Sequence, residues 1–243
     1  MSPYPAARRF FRFSGTVVGL ISGRKTRVQL TPNMGVDVNG IAAAALLTGV
    51  ALVAKTVLPW SRAWLLPAAA AVPVTAFFRD PTRRTPTDSD AVVAAADGRV
   101  LSIGHVTDER LGAGEWLRIA VFLSVLDVHV NRSPVSGRVL AITESVGGYA
   151  AAQTSGAEHN VAQYTLLETS RGKVGVAQRS GLVARRIVNR AQVGKRLNAG
   201  ERFGLIRFGS RTDVYLPVGA ALPCVAVGDR VLGGETIIAR WKR

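Results

Sequence analysis

The chain is poor in cysteine, histidine and aromatic residues, and each shortage excludes a class of protein. Its single cysteine, Cys224, rules out an intrachain disulfide, a Cys-based metal site and a CxxC redox motif. The three histidines lie too far apart for an H-E-x-x-H zinc helix, so we expect no metal; they are His105, His129 and His159. Aromatic residues make up 7% of the chain, and no zinc-finger, KH or RNP pattern is present. We therefore expect no nucleic-acid partner.

Acidic residues are also scarce: 16 Asp and Glu stand against 31 Lys and Arg, which gives a formal net charge of +15. Such a charge indicates an anionic partner, either nucleic acid or an acidic membrane surface. Because the nucleic-acid signatures are missing, we favour the membrane. Among residues 1–40 one acid, Asp37, accompanies a basic cluster of Arg8, Arg9, Arg12, Arg24, Lys25 and Arg27. No uninterrupted apolar run follows the first arginines, so we expect no cleavable signal peptide.

Two long apolar segments come next, "IAAAALLTGVALVAKTVLPW" (41–60) and "AWLLPAAAAVPVTAFF" (63–78). The first approaches the roughly 20 residues that a bilayer-spanning helix needs. Basic residues flank the pair on both outer sides, a pattern that keeps both ends in the cytoplasm. We predict that residues 1–78 carry a membrane-associating helical hairpin at the cytoplasmic side of the cell membrane. The alternative is an Ala-rich hairpin buried in a soluble core.

The pattern changes after a Pro- and Thr-rich stretch, "RDPTRRTPTDSD" (79–90), which predicts a linker. Short β-type runs fill residues 91–243, with Gly, Asn and Asp between them at intervals near ten residues. This spacing predicts a mainly β (α+β) fold whose second domain is compact and mostly antiparallel. The only weak helix candidate in that domain is "SGLVARRIVNRA" (180–191).

Two internal repeats lie within the β domain. "AADGRVLSI" (95–103) matches "PVSGRVLAI" (134–142), and "VGKRLNAGERFGLI" (193–206) matches "VGDRVLGGETIIA" (227–239). Paired units of this kind resemble the hammerhead-like barrel-sandwich of biotinyl and lipoyl carrier domains, a likeness of fold and not of function. The segment between the second pair contains no lysine to modify, so we do not expect a carrier.

Three polar residues in apolar surroundings are candidates for chemistry: Asp97, His129 and Ser210. Each also has an ordinary structural interpretation, because Asp-Gly and Gly-Ser are common turns and a lone histidine in a strand is often hydrogen-bonded in the core. The order Asp, His, Ser is compatible with a hydrolase triad, but triads are defined by geometry. No G-x-S-x-G elbow surrounds the serine.

Together these segments resemble the pyruvoyl-dependent phosphatidylserine decarboxylases, most closely the short bacterial type. The matching pieces are "FFRDPTR", "AADGRV", "FLSVLDVHVNRSPVSGRV", "GLVARRI" and "GLIRFGSRTDVYLP". They cover most of residues 77–217, with the apolar hairpin before them. An isolated Gly-Ser carries no information, but these motifs in this order are a specific signal.

The resemblance implies that the chain cleaves itself between Gly209 and Ser210 and that Ser210 becomes a covalent pyruvoyl group. This group would form a Schiff base with the amine of phosphatidylserine and act as an electron sink while CO2 leaves, which gives phosphatidylethanolamine. His129 is the expected proton donor, and Asp97 is expected to orient or charge-balance the processing base. The two fragments, 1–209 and 210–243, would stay paired as a heterodimer, and a homo-oligomer is also compatible with the sequence.

Two positions depart from the family pattern. Longer members carry a second histidine, credited with self-cleavage, where this chain has Arg132. The family's N-E-R segment corresponds here to "EHNVAQ" (158–163), in which only Asn160 matches. The processing base is therefore either His129 itself or another group.

Several arginines are candidates for contact with the anionic lipid. Arg79, Arg83 and Arg84 follow the hairpin and would meet lipid headgroups, each contributing roughly 1 kcal/mol. The candidates for the substrate phosphodiester are Arg185, Arg186, Arg207 and Arg211. The alternative for each is solvated surface charge. For the whole chain, the alternatives are a membrane-tethered, non-enzymatic adaptor and a serine hydrolase that uses Asp97, His129 and Ser210.

Overall fold

The computed structural model describes residues 27–31, 33–182, 186–207 and 209–242, where two helices precede a domain of short antiparallel strands. The helices are α1 (Val38–Val57) and α2 (Leu65–Phe77). The strands are β1 (Arg27–Thr31), β2 (Met34–Asp37), β3 (Arg79–Pro81), β4 (Ala91–Val93), β5 (Gly98–Thr107), β6 (Glu115–Leu123), β7 (Val130–Arg132), β8 (Gly137–Ser145), β9 (Ala162–Thr169), β10 (Gly172–Arg179), β11 (Ile187–Asn189), β12 (Arg196–Leu197), β13 (Arg202–Ile206), β14 (Ser210–Pro217), β15 (Ala221–Pro223), β16 (Arg230–Val231) and β17 (Ile237–Trp241).

A curled antiparallel sheet of eight strands forms the centre of the β domain, in the order β12-β8-β9-β10-β14-β6-β5-β16. Three smaller sheets accompany it: β1-β2-β3, β11-β13-β7 and β15-β17-β4. The predicted mainly β class is confirmed. The helix candidate within 180–191 is wrong where the structure describes it, because Ile187–Asn189 pairs with β13 and Val188 packs on the cluster that contains Leu205.

The two helices form a hairpin whose base is fixed to the β domain. Asp37 caps α1 by accepting a hydrogen bond from the Asn39 backbone N–H at 3.0 Å, and it binds both terminal nitrogens of Arg190. At Gly40 the helix passes so close to Phe78 that a Cβ atom would lie 2.3 Å from that side chain. The base of the hairpin is therefore rigidly placed.

Beyond this base, α1 exposes large apolar side chains to its surroundings: Leu46, Val50, Leu52, Val53 and Val57. Trp60, at the tip of the hairpin, is 99% exposed. The 20 residues of α1 are long and apolar enough to span or lie in a membrane. Such exposure does not fit the alternative of a hairpin buried in a soluble core.

The segment after the hairpin packs tightly on the β domain. Phe77 and Phe78 join Val36 and Leu205 in one buried cluster, and β3 pairs with β2. Asp80 forms ion pairs with Arg132 and Arg202 at 2.8 and 2.5 Å. The boundary at 79–90 stays a prediction.

The sequence repeats form two equivalent units at the two ends of the eight-stranded sheet. In the Asp97 unit (95–103 with 227–239), the Val100 N–H donates to the Asp229 carbonyl at 2.9 Å. In the Ser136 unit (134–142 with 193–206), the Val139 N–H donates to the Lys195 carbonyl at 2.8 Å. Each unit also has an irregularity in strand pairing at the same position, after Val100 and after Val139.

Candidate active site

Ser210 is the first residue of β14 and is completely buried, opposite Leu123 of β6. Its Oγ has no hydrogen-bond partner among the described residues, which is unusual for a buried hydroxyl. Gly209 before it has φ +56°, a left-handed conformation that a residue with a side chain adopts only with strain. The Gly209–Ser210 peptide therefore combines an available hydroxyl with a carbonyl whose own residue has no side chain.

The Gly209 carbonyl packs against Gly181, a glycine that the sequence analysis did not single out. A Cβ atom at Gly181 would lie 1.9 Å from the Gly209 oxygen, so this approach needs a glycine there. The neighbouring Ser180 carbonyl accepts a hydrogen bond from the Asn160 side chain at 2.8 Å, and the same amide binds Ala150. Asn160 thus supports the backbone that contacts the Gly209 carbonyl.

His129 lies just before β7 and is buried beside Phe77, with 4.3 Å between the ring centroids. Its Nδ1 lies 2.9 Å from the Asp127 carbonyl, which only a protonated Nδ1 can hydrogen-bond. Nε2 is then the lone-pair nitrogen of the neutral ring, and it has no partner among the described residues. Burial lowers the pKa of His129 to about 4, which keeps the ring neutral near pH 7. A neutral imidazole with a free Nε2 can accept a proton.

A buried polar network joins the strand of His129 to the strand of Ser210. The Asn131 side chain donates to Thr212 Oγ1 at 3.3 Å and accepts from Gln178 at 2.8 Å. Side chains two residues apart on a strand share a face, so Ser210 lies on the side of Thr212 in β14, while His129 precedes Asn131 by two residues, just before β7 begins. The Ile206 N–H also donates to the His129 carbonyl at 3.2 Å, three residues before Gly209. These contacts link the backbone beside His129 to the strand that begins at Ser210.

Asp97 is buried two strands away from Ser210 in the order β14-β6-β5. Its carboxylate accepts a hydrogen bond from Arg83 at 2.5 Å and from the Gly233 N–H at 2.8 Å. Burial raises the pKa of Asp97, although the Arg83 charge acts in the opposite direction. In the described part of the chain, no hydrogen bond joins Asp97 to His129 or Ser210, and its role stays a prediction.

Arg132, at the position of the second histidine, has a structural role that the sequence did not reveal. Its guanidinium binds Asp80 at 2.8 Å and the carbonyls of Pro81 and Gly200 at 3.0 and 3.1 Å. Burial lowers the pKa of Arg132 to about 10, and the side chain remains a cation at neutral pH. It does not replace a histidine as a base; it holds the segment after the hairpin on the β domain.

The candidate substrate arginines have different surroundings. Arg211 is buried and donates to both carboxylate oxygens of Asp213, at 2.6 and 3.1 Å. Arg207 lies over the ring of Phe78 and donates to Asn39 at 3.1 Å, while no described residue accepts a bond from its Nε. Burial and the nearby Arg186 lower the pKa of Arg207.

Arg186 is exposed, and Arg185 lies outside the described residues, as do the N-terminal basic residues before position 27. Arg83 was expected to face lipid headgroups, but this is wrong because its side chain is buried between Asp97 and Glu235. Arg207 and Arg186 are therefore the described arginines near the Gly209–Ser210 bond with capacity to bind an anion.

Comparisons with known proteins show the family to which the chain belongs. The family model described as phosphatidylserine decarboxylase matches residues 71–239. A curated relative, the phosphatidylserine decarboxylase proenzyme of Beijerinckia indica subsp. indica, is 50% identical over 167 residues. That alignment covers 67% of this chain and 72% of the relative. The region matched by the family model contains Asp97, His129 and Ser210.

Proposed function

The chain belongs to the phosphatidylserine decarboxylase family, and on that premise we propose that it cleaves itself between Gly209 and Ser210 and decarboxylates phosphatidylserine. One observation carries the proposal: Ser210 Oγ and His129 Nε2 are both buried without a described partner, and each lies two residues from one member of the Asn131–Thr212 hydrogen bond. Leaving two buried polar atoms without partners costs stability, and such exceptions are typical of functional sites.

Self-cleavage follows from the chemistry of these two side chains. Ser210 Oγ adds to the Gly209 carbonyl carbon, and the peptide C–N bond breaks to give an ester. The proton lost by Oγ passes through His129 Nε2 to the released nitrogen. Removal of the Cα proton of residue 210 then expels the Gly209 carboxylate by β-elimination. Hydrolysis releases ammonia and leaves a pyruvoyl group at position 210.

The residues around Ser210 fit such a group. Position 210 pairs with Leu123 of β6 and precedes Arg211, which pairs with Arg179 of β10, and no described hydrogen bond to Ser210 Oγ must be broken before reaction. When bound to a substrate amine, a pyruvoyl carbonyl supplies an electron sink for the electrons left by departing CO2. The protein then has to exclude water, hold the headgroup and return a proton to the substrate α-carbon.

The same residues suit those tasks. His129 Nε2 has no hydrogen-bond partner among the described residues and is available to carry the proton that replaces CO2. Arg207 and Arg186 supply positive charge for the phosphodiester beside the cleavage bond. The fragment 210–243 remains held after cleavage, because β14 lies between β10 and β6 and β17 pairs with β4. These features support the heterodimer of fragments.

The mass of the purified chain tests this proposal. We expect two fragments, 1–209 and 210–243, the smaller blocked to Edman degradation and reactive with hydrazides. Ser210→Ala should give a single uncleaved chain without decarboxylase activity. Ser133→Ala, which changes another buried serine, is the matched control and should still cleave. A wild-type chain that stays intact and resists hydroxylamine would refute self-cleavage and favour the hydrolase that uses an unmodified Ser210.

A further inference from the structure

The turn before His129 presents two apolar side chains to the outside. Val125 and Leu126 are 56% and 83% exposed, between Ser124 and Asp127. The turn itself is rigid, because the Asp127 carboxylate accepts bonds from the Ser124 N–H and hydroxyl at 2.8 and 2.7 Å. The hydrogen-bonded turn therefore holds Val125 and Leu126 in their exposed positions.

These side chains continue the apolar surface of the helical hairpin. Val125 and Leu126 line a cavity of about 280 Å³ with α2 residues at the base of the hairpin: Pro73, Val74, Ala76 and Phe77. The Arg79 guanidinium also donates to the Leu126 carbonyl, so the turn and the end of α2 are joined directly. The apolar surface thus runs from the hairpin to the turn that holds His129.

Cations border this surface where it meets the β domain. Arg79 lies on one side of the turn, and Arg230, which binds Asp127 at 2.6 Å, lies on the other with most of its side chain exposed. Apolar tips bordered by Arg are characteristic of protein surfaces that lie at the level of lipid headgroups, with the apolar part among the acyl chains. The combination of exposed apolar side chains with bordering arginines therefore favours a lipid surface as the occupant.

We propose that Val125, Leu126 and the end of α2 form a lipid-contacting lip that docks the site on the bilayer that contains its substrate. The lip rests on the proposed function and extends it to the way the substrate is presented. Because Asp127 both closes the turn and fixes His129 through its carbonyl, docking at Leu126 sets the proton-transfer group at headgroup level. Substrate then reaches the site from within the membrane, without leaving it.

Depth-dependent fluorescence tests the lip without reference to activity. In a Cys224→Ser, Ser210→Ala chain, Leu126→Cys is labelled with an environment-sensitive dye and mixed with phosphatidylcholine–phosphatidylserine vesicles. We expect a blue shift and quenching by lipids brominated on the upper acyl chain. Leu222→Cys is the matched control: it has the same 56% exposure as Val125 but follows the far end of β14. Its dye should not respond.

The activity arm compares two presentations of phosphatidylserine. Val125→Thr/Leu126→Asn should lower kcat/KM about tenfold on vesicles and leave it unchanged on monomeric short-chain substrate, with self-cleavage intact. Leu222→Asn should change neither. Equal losses of kcat/KM on both substrates would overturn the lip. A dye at position 126 that responds to protein concentration and not to vesicles would also overturn it, and would indicate that a second copy of the chain covers this surface. If the wild type decarboxylates neither substrate, the proposed function fails, whatever the dye reports.

Discussion

The Asp97 unit and the Ser136 unit are built on one backbone plan, yet only one of them holds an ionisable group at the shared position. Asp97 accepts a hydrogen bond from the Gly233 N–H at 2.8 Å, and Ser136 Oγ accepts one from the Ala199 N–H at 2.9 Å. A hydroxyl is therefore enough to cap this backbone. The fold therefore does not require a carboxylate at position 97 or its ion pair with Arg83.

The strands that precede these two units also differ, and here the polar residues lie in β7, before the Ser136 unit. β4 and β7 are equivalent, because the Val93 N–H donates to the Pro134 carbonyl and the Arg132 N–H donates to the Ala95 carbonyl, at 2.9 and 2.8 Å. Where β4 has Val92 and Val93, β7 has Asn131 and Arg132. The apolar strand shows that the frame needs no polar side chain here. We therefore expect Asn131 to serve the site, whereas Arg132 attaches the segment after the hairpin through Asp80.

Replacing Arg132 of β7 by valine, the residue at the equivalent position of β4, should have the largest effect on stability. Arg132→Val removes the Arg132 guanidinium from the buried Asp80 carboxylate, which keeps its ion pair with Arg202. Removing one member of a buried ion pair typically costs about 3–5 kcal/mol, so we expect a loss of that order in the free energy of unfolding, measured by urea titration. Asp80→Asn added to Arg132→Val should recover part of it. A loss below about 1 kcal/mol would show that Asp80 is neutralised without Arg132.

The buried position of His129 should make the stability of the chain depend on pH. Because burial lowers the pKa of His129 from 6.5 to about 4, the unfolded chain binds the proton more readily. Its contribution to stability is complete above about pH 6.5 and is lost as the pH falls towards 4, up to about 3 kcal/mol. Urea unfolding of Ser210→Ala, with and without His129→Gln, isolates this slope. Parallel slopes in the two chains would contradict it.

Exchanging the capping residues separates structure from chemistry in the two units. Asp97→Ser keeps the bond to Gly233, so we expect a folded chain that cleaves itself about a hundredfold more slowly, the size of one general acid–base contribution. Ser136→Asp is the reciprocal control and should cleave at the wild-type rate. The measurement is the fraction of cleaved chain over time by mass spectrometry. Wild-type cleavage in Asp97→Ser would reduce Asp97 to a backbone cap.

The fold class, the helical hairpin and the repeats could be predicted from the sequence, because local hydrophobic patterns and motifs encode them, whereas the roles of Asp97, His129 and Ser210 stay predictions. The sequence did not contain the partners of the buried charges. Asp80 and Arg132 are 52 positions apart, and Arg179 meets Asp213 from another strand at 2.7 Å. Arg211 looked available beside the cleavage bond, although Asp213 lies two residues later on the same face of β14. In a wholly buried strand, that spacing indicates an ion pair.

The smallest expected effect on stability comes from replacing Asn131 of β7 by valine, the residue at the equivalent position of β4. Asn131→Val deprives the Gln178 amide of its 2.8 Å partner and leaves a 3.5 Å contact to the Val188 carbonyl. A buried donor without a good partner costs about 1–3 kcal/mol, and removing both partners is nearly neutral. We therefore expect Asn131→Val to lower the free energy of unfolding by about 1 kcal/mol and Gln178→Leu to restore it. We expect the double variant to regain stability while its self-cleavage stays slow, which would show that the network serves to place His129 beside Ser210. The apolar residues of β4 favour this outcome, because the equivalent strand forms there without such a network. Recovery of both stability and self-cleavage would make the network a packing feature alone.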